Sequence, residues 1–233
     1  MPAYFVTGTD TDAGKTLVTA GLLARASGQG LSTLGLKPVA SGCRLTSAGL
    51  RNDDALALQS RSEPAVAYAV VNPFAFAPAI APHLAAQQDG RGITLAALAG
   101  HVEPLLEGPQ HLTLIEGAGG WRVPINDSED LSGLAVRLAL PVILVVGLRL
   151  GCISHARLTA EAILADGLRL AGWIGNLLDA DFAADAALYD ANLATLERTL
   201  PGPCLGILPR LDAIDGPMRP ESAAACLMLP DGD

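Results

Sequence analysis

Residues 8–16, Gly-Thr-Asp-Thr-Asp-Ala-Gly-Lys-Thr, constrain this chain more than any other stretch. They follow the apolar run Ala3-Tyr4-Phe5-Val6 and precede the mostly apolar Leu17-Val18-Thr19-Ala20-Gly21-Leu22-Leu23-Ala24. Strand, glycine-bounded loop and helix start, in that order, aim consecutive backbone N–H groups at one point, where the helix N-terminus favours an anion. Lys15 adds a mobile positive charge there, and Thr16 adds a hydroxyl suited to Mg2+. The loop is therefore expected to cradle the phosphates of a nucleoside triphosphate. Five residues separate Gly8 from Gly14, one more than in the common phosphate loop.

The rest of the chain repeats the logic of that first unit. Short runs rich in branched apolar residues predict strands at Ala3–Thr7, Thr33–Val39, His111–Glu116, Val142–Leu148, Ala171–Asn176 and Cys204–Leu208. Helices are expected at Lys15–Ser27, Asp53–Gln59, Ile93–Leu106, Leu131–Leu138, Ile153–Ala165 and Phe182–Leu200. Several strand runs are almost wholly apolar, as when both faces of a sheet are covered. The alternation predicts an α/β fold of the phosphate-loop type, a mostly parallel sheet with helices on both faces. The Pro- and Ala-rich stretch from Asn72 to Gln88 reads as an extended connection, and the tail after Pro220 as a fraying end. With 233 residues, half of them apolar, one core and a single domain over 1–233 are expected.

The charge excludes some partners. Fifteen basic residues against 24 acidic ones leave a formal net charge of −9. Neither a nucleic-acid surface nor an anionic membrane surface fits that balance, so an anionic ligand must be held by a local device. The longest apolar run, Leu138–Leu148, is interrupted by Pro141 and too short to cross a bilayer. The N-terminus lacks a basic segment followed by an apolar stretch. Cys43, Cys152, Cys204 and Cys226 are scattered, as buried thiols of a reducing cytoplasm would be. His83, His101, His111 and His155 show no ligand spacing, so zinc is not expected.

Ligands of such sheets sit beyond the carboxyl ends of the strands, and the remaining polar residues of interest lie there. Lys37 stands in Leu34-Gly35-Leu36-Lys37-Pro38, either as a solvated edge lysine or beside the phosphates, with Ser41 shortly after as a substrate donor or a plain turn residue. In Arg51-Asn52-Asp53-Asp54, an acid either caps the following helix or supplies the carboxylate that Mg2+ needs. Glu116 closes an apolar strand before Gly117-Ala118-Gly119-Gly120, and an unpaired carboxylate buried there would be costly. Glu116 is therefore expected to join Asp54 and Thr16 around the metal. The turn before Ile153 opens a helix whose N–H groups suit a carboxylate, and Asn176 is either an adenine reader or a turn residue.

Taken together, Tyr4–Thr16, Lys37–Gly42, Leu50–Leu56, Glu116–Trp121 and Leu140–Ile153 resemble the dethiobiotin synthetases, in the family's order and over most of the chain. The resemblance implies an ATP-dependent ligase that closes the ureido ring on 7,8-diaminononanoate and CO2, with Mg2+ as cofactor and ATP as co-substrate. It implies catalytic roles for Lys15, Thr16 and Lys37, and Mg2+ ligation by Thr16, Asp54 and Glu116. The nucleotide contacts it implies begin with Asp12, Ala13, Gly14, Lys15, Thr16 and Leu17. They continue with Asp54, Glu116, Gly117, Ala118 and Gly119, and end with Asn176, Leu177, Pro209, Arg210 and Leu211. The diamine would meet Ser41, and its carboxylate would meet Gly151, Cys152 and Ile153 of a second subunit, making the site part of a homodimer interface. Asp12 and Ser154 depart from the family's usual Glu and Asn.

Three rivals share part of this pattern. Chromosome-partitioning and septum-placing ATPases share the deviant loop, yet usually carry a lysine early in it, where Thr9-Asp10 stands here. An amidotransferase of the cobyric acid type needs a further glutaminase domain. A plain kinase keeps the loop without the later Glu-Gly-Ala-Gly-Gly block.

Overall fold

The computed structural model describes residues 2–210 and 219–230. In chain order the strands are β1 (Ala3–Gly8), β2 (Thr33–Leu36), β3 (Val39–Ala40), β4 (Arg44–Thr46), β5 (Gly49–Arg51), β6 (Phe74–Ala75), β7 (Leu112–Glu116), β8 (Val142–Leu148), β9 (Leu170–Leu177) and β10 (Cys204–Leu208). The helices are α1 (Lys15–Ser27), α2 (Asp53–Gln59), α3 (Tyr68–Val71), α4 (Pro82–Gln88), α5 (Leu95–Leu106), α6 (Ser132–Arg137), α7 (Cys152–Ala165), α8 (Ala186–Thr199) and α9 (Pro220–Ala225). Six strands form one parallel sheet in the order β10-β9-β8-β1-β7-β2.

Side-chain alternation divides the interior in two. Phe5, Val142, Leu144, Val146 and Leu148 point to one face, where α5, α6, α7 and α8 supply Leu98, Leu134, Ala156 and Leu196. Tyr4, Val6, Ile143 and Val145 point to the other, which α1, α2 and α9 cover with Leu22, Leu58 and Ala223. Adjacent strand residues thus enter different cores, which is why these strands read as unbroken apolar runs. Because every strand of this sheet runs the same way, the ends of β1, β2, β7, β8, β9 and β10 share one edge. Gly8, Lys37, Glu116 and Asn176 lie at or just past it.

Several boundaries differ from the sequence reading. The strand expected to reach Val39 ends at Leu36, because Pro38 has no N–H to extend a ladder. Val39–Ala40 pairs instead with Phe74–Ala75. The supposed extended connection from Asn72 to Gln88 therefore holds a strand and the helix α4, with Pro82 in its first turn. Helix α8 begins at Ala186, not Phe182, because the Asp185 side chain accepts from the N–H groups of Ala187 and Leu188. A short hairpin, β4–β5, was also not foreseen. The tail is not frayed through α9. Ala223 and Leu227 are buried against α1, where Gly21 leaves room for both, and Met228 N–H donates to the Leu205 carbonyl at 2.8 Å.

Candidate active site

The loop after β1 turns on Gly14, which sits at φ 94 as the N-cap of α1. That conformation is strained for any side chain, and a Cβ there would come within 2.1 Å of the Asn176 amide nitrogen. Asn176 Nδ2 donates to the Ala13 carbonyl at 3.0 Å, so β9 braces the loop from behind. From the other side, Thr9 Oγ1 accepts from Gly147 N–H at 3.2 Å, and Arg149 pairs with Asp10 at 2.6 Å. Lys15 folds over the loop it closes, its Nζ donating to the carbonyls of Asp10 (3.0 Å) and Thr11 (2.9 Å).

A cavity of about 390 Å3 opens beside this loop. Thr11, Asp12, Gly14, Lys15, Thr16 and Leu17 line it from the loop side. Lys37, Ser41, Asn52, Asp54, Glu116, Ala118 and Gly119 are also among its walls. At its floor, Lys37 Nζ lies 2.6 Å from Glu116 Oε1, 3.1 Å from Asp54 Oδ2 and 3.1 Å from the Gly117 carbonyl. Thr16 Oγ1 donates to the same Glu116 oxygen at 2.8 Å. Lys15 and Lys37 are the only lysines in the sequence; every other basic residue is arginine. Both face one cavity.

The two lysines have opposite acidities for a physical reason. Burial, and then repulsion from Lys37, pulls Lys15 down to about 8, its hydrogen bonds among the described residues going to backbone carbonyls. Burial acts on Lys37 as well, but Glu116 and Asp54 outweigh it and hold the ammonium above the ordinary lysine value. Burial would raise Asp54 likewise; the Lys37 charge turns the balance and holds its carboxyl below the ordinary aspartate value.

The acidic residues resolve cleanly. Neither Asp53 nor Asp54 caps α2; Asn52 does, accepting from Ala55 N–H at 3.2 Å. Asp53 points outward to Arg44, and Asp54 turns inward to Lys37. Glu116 is 1% exposed, and its second oxygen, Oε2, is buried with no hydrogen-bond partner among the described residues. Such an atom is costly unless something else satisfies it. Two carboxylates and a hydroxyl are hard oxygen donors of the kind Mg2+ takes beside phosphates. Among the described residues, no group of three or more His, Cys, Asp or Glu could hold an ion unaided. The donor set thus fits a metal that keeps phosphate or water ligands rather than one caged by protein.

Other expected residues lie farther off. Asn176 stands behind the loop, with Leu177 after it and Pro209 and Arg210 beyond β10 along the same edge. Arg210 donates to the Leu178 carbonyl at 2.8 Å. Leu211 lies outside the described residues. Gly151, Cys152 and Ile153 do not join the Lys15 cavity. They open α7 from Gly151 at φ 92, beside a separate depression lined by Ser154, Arg157 and Leu158. The sequence reading missed Asn52, whose place before two acids is an N-cap signal. It also missed Tyr68 and Asn72, hidden in or beside a stretch taken for loop.

A family model described as an AAA domain matches residues 2–218. The chain is 66% identical over 234 residues to the ATP-dependent dethiobiotin synthetase BioD of Chromohalobacter salexigens, covering 99% of each. It is 59% identical over 212 residues to the protein of that name from Pseudomonas aeruginosa, covering 91% of each. Among solved structures, the MinC:MinD cell division protein complex of Aquifex aeolicus superposes with a TM-score of 0.59 at 16% identity. That match covers 97% of this chain and 86% of that one. At such identity the likeness is one of fold.

Having two lysines makes the electrostatics directly measurable. Labelling lysine with carbon-13 at the ε position should give two side-chain resonances. One should titrate near pH 8, for Lys15, and the other should hold its proton past 10.5, for Lys37. A common midpoint for both would mean that they do not occupy these two environments.

Proposed function

The chain belongs to the ATP-dependent dethiobiotin synthetases, and on that premise we propose that its strand-edge cavity converts 7,8-diaminononanoate, CO2 and ATP into dethiobiotin, ADP and phosphate. This makes it a ligase of the penultimate step of biotin biosynthesis. One amine of the diamine adds to CO2 and loses a proton, giving a carbamate. A carbamate oxygen takes the γ-phosphoryl group of ATP. The second amine then attacks the carbamoyl carbon and loses a proton, closing the ring and expelling phosphate with its bonding pair. A cytoplasmic setting suits the four free thiols.

The observation that supports the reading best is the convergence of Lys15, Thr16, Lys37, Asp54 and Glu116 on one cavity. Lys15 and the loop N–H groups hold the phosphates. Its carbonyl contacts are replaceable by phosphate oxygens, which would also favour its charged form. Lys37 faces the charge that develops on the carbamate and the transferring phosphoryl group. Its position, fixed by two acids before any substrate arrives, is the preorganisation that electrostatic catalysis requires. Ser41 meets the diamine end. Thr16, Asp54 and Glu116 would hold Mg2+, which when bound neutralises phosphate charge. Asn176, Leu177, Pro209 and Arg210 would meet the far side of the nucleotide; Leu211, expected with them, lies outside the described residues.

The family resemblance assigns the substrate carboxylate to a second place on the chain. The N-terminus of α7, at Gly151, Cys152 and Ile153, suits an anion. Leu150 beside it is 90% exposed and Leu158 on the same helix 62%. The proposed homodimer buries these leucines and sets this turn beside the neighbouring subunit's cavity.

Four experiments test these roles. Labelled bicarbonate, MgATP and the diamine should yield labelled dethiobiotin. Lys37→Ala should lower kcat by about 10²–10³, the scale for losing one preorganised donor, with the Kd for ATP near that of the parent. Unchanged kcat would remove Lys37 from the mechanism, and diamine-independent ATP turnover would remove the ligase itself. Glu116→Gln should raise the Mg2+ concentration for half-maximal turnover by about 10-fold or more; full activity at the parent's Mg2+ requirement would exclude it as a ligand. Mixing Lys37→Ala with Gly151→Val subunits should restore turnover that neither has alone. No recovery after confirmed subunit exchange would place the whole site within one chain.

A further inference from the structure

We infer that Asn72, with Tyr68 one helical turn before it, is a positioning residue that fixes Lys37 and Asp54 relative to each other, so that α3 sets the geometry of the charged cavity floor. The inference rests on the role proposed for Lys37.

The sheet cannot do this work. Pairing of β2 with β7 ends at Leu36, and Pro38 closes off any continuation. Lys37 therefore stands past the last ladder bond with two backbone groups to satisfy. Both are met by consecutive residues at the end of α3. Lys37 N–H donates to the Val71 carbonyl at 2.9 Å, and Asn72 Nδ2 donates to the Lys37 carbonyl at 2.6 Å. Asn72 is 3% exposed, so these are bonds away from water. Losing one leaves a buried polar group orphaned, which costs more than the bond itself contributes.

The other half of the ion pair is tied to the same helix. Tyr68 hydroxyl donates to Asn72 Oδ1 at 2.9 Å and accepts from Asn52 N–H at 2.8 Å. Asn52 is the N-cap of α2, the helix whose first turn carries Asp54. The Arg51 guanidinium lies 4.2 Å from the centre of the Tyr68 ring and covers it. One chain of contacts thus runs from the Lys37 backbone through Asn72 and Tyr68 to the start of α2. It closes across the cavity through the Lys37–Asp54 ion pair. Neither Tyr68 nor Asn72 is among the cavity-lining residues, so their effect must pass through Lys37 and Asp54.

The test uses Tyr68→Phe, which keeps the ring and removes the hydroxyl, and Asn72→Ala. In protein labelled at the lysine ε carbon, both variants should shift the Lys37 resonance and leave the Lys15 resonance in place. kcat should fall about 10-fold or more, with KM for ATP within about 3-fold of the parent, and the double variant should lose no more than Asn72→Ala alone, as members of one network do. A Lys37 resonance that does not move in Tyr68→Phe, or multiplicative losses in the double variant, would overturn the inference. Should Asn72→Ala not fold, the Tyr68→Phe spectrum decides alone. The spectrum needs no turnover, so a failure of Lys37 in catalysis and a failure of the positioning chain give different results.

Discussion

The buried contact between Lys37 and Glu116 is the interaction around which the cavity is arranged. Both side chains are almost wholly removed from water, 2.6 Å apart. Such a pair is a poor stabiliser, because desolvating two charges consumes most of what their attraction returns. Removing either partner, by contrast, strands a buried charge at a cost of about 3–5 kcal/mol. The pair therefore makes more sense as a fixed charge than as a source of stability. Strand β7 ends on Glu116 and β2 ends one residue before Lys37, so their parallel pairing brings both residues to one edge, where Val71 and Asn72 hold the Lys37 backbone.

Position along that edge gives chemically equal residues unequal tasks. Lys15 rests on carbonyl oxygens and carries a weakened hold on its proton. Lys37 rests on carboxylates and carries a strengthened one. The first is a charge that a phosphate would reinforce on arrival; the second is set before anything binds. Each follows from what the chain folds beside it, through the same competition between burial and neighbouring charge.

Much of this was legible in the sequence wherever one local rule dominated. The phosphate loop, α1, α2, β8 and β10 follow from periodicity and from glycine and cap positions, and their bounds fall where expected. The strand break at Lys37-Pro38 was present in the residues as well, since proline cannot extend a ladder, yet the apolar run around it was the louder signal. Tyr68 and Asn72 were illegible for a different reason. A four-residue helix has too little periodicity to show, and their partners, Asn52 and the Lys37 backbone, become neighbours only through tertiary contacts. The covering of α1 by α9 was equally hidden, because small residues such as Ala223 announce neither core nor surface.

Fold likeness alone leaves the chemistry open, since a chain of the MinC:MinD complex shares this fold at 16% identity. Charge balance inside the cavity narrows it. Lys15 and Lys37 face Asp12, Asp54 and Glu116, so the lining carries no surplus of positive charge on its own, within a chain of net charge −9. A triphosphate entering such a place brings several negative charges and finds no surplus of protein cations to meet them. The loop N–H groups supply part of the compensation. On the reading proposed above, a divalent cation held by Glu116 and the half-exposed Asp54 would supply the rest. Either alone would leave charge uncompensated, whereas both together would leave Lys37 to face the anion that the proposed reaction creates.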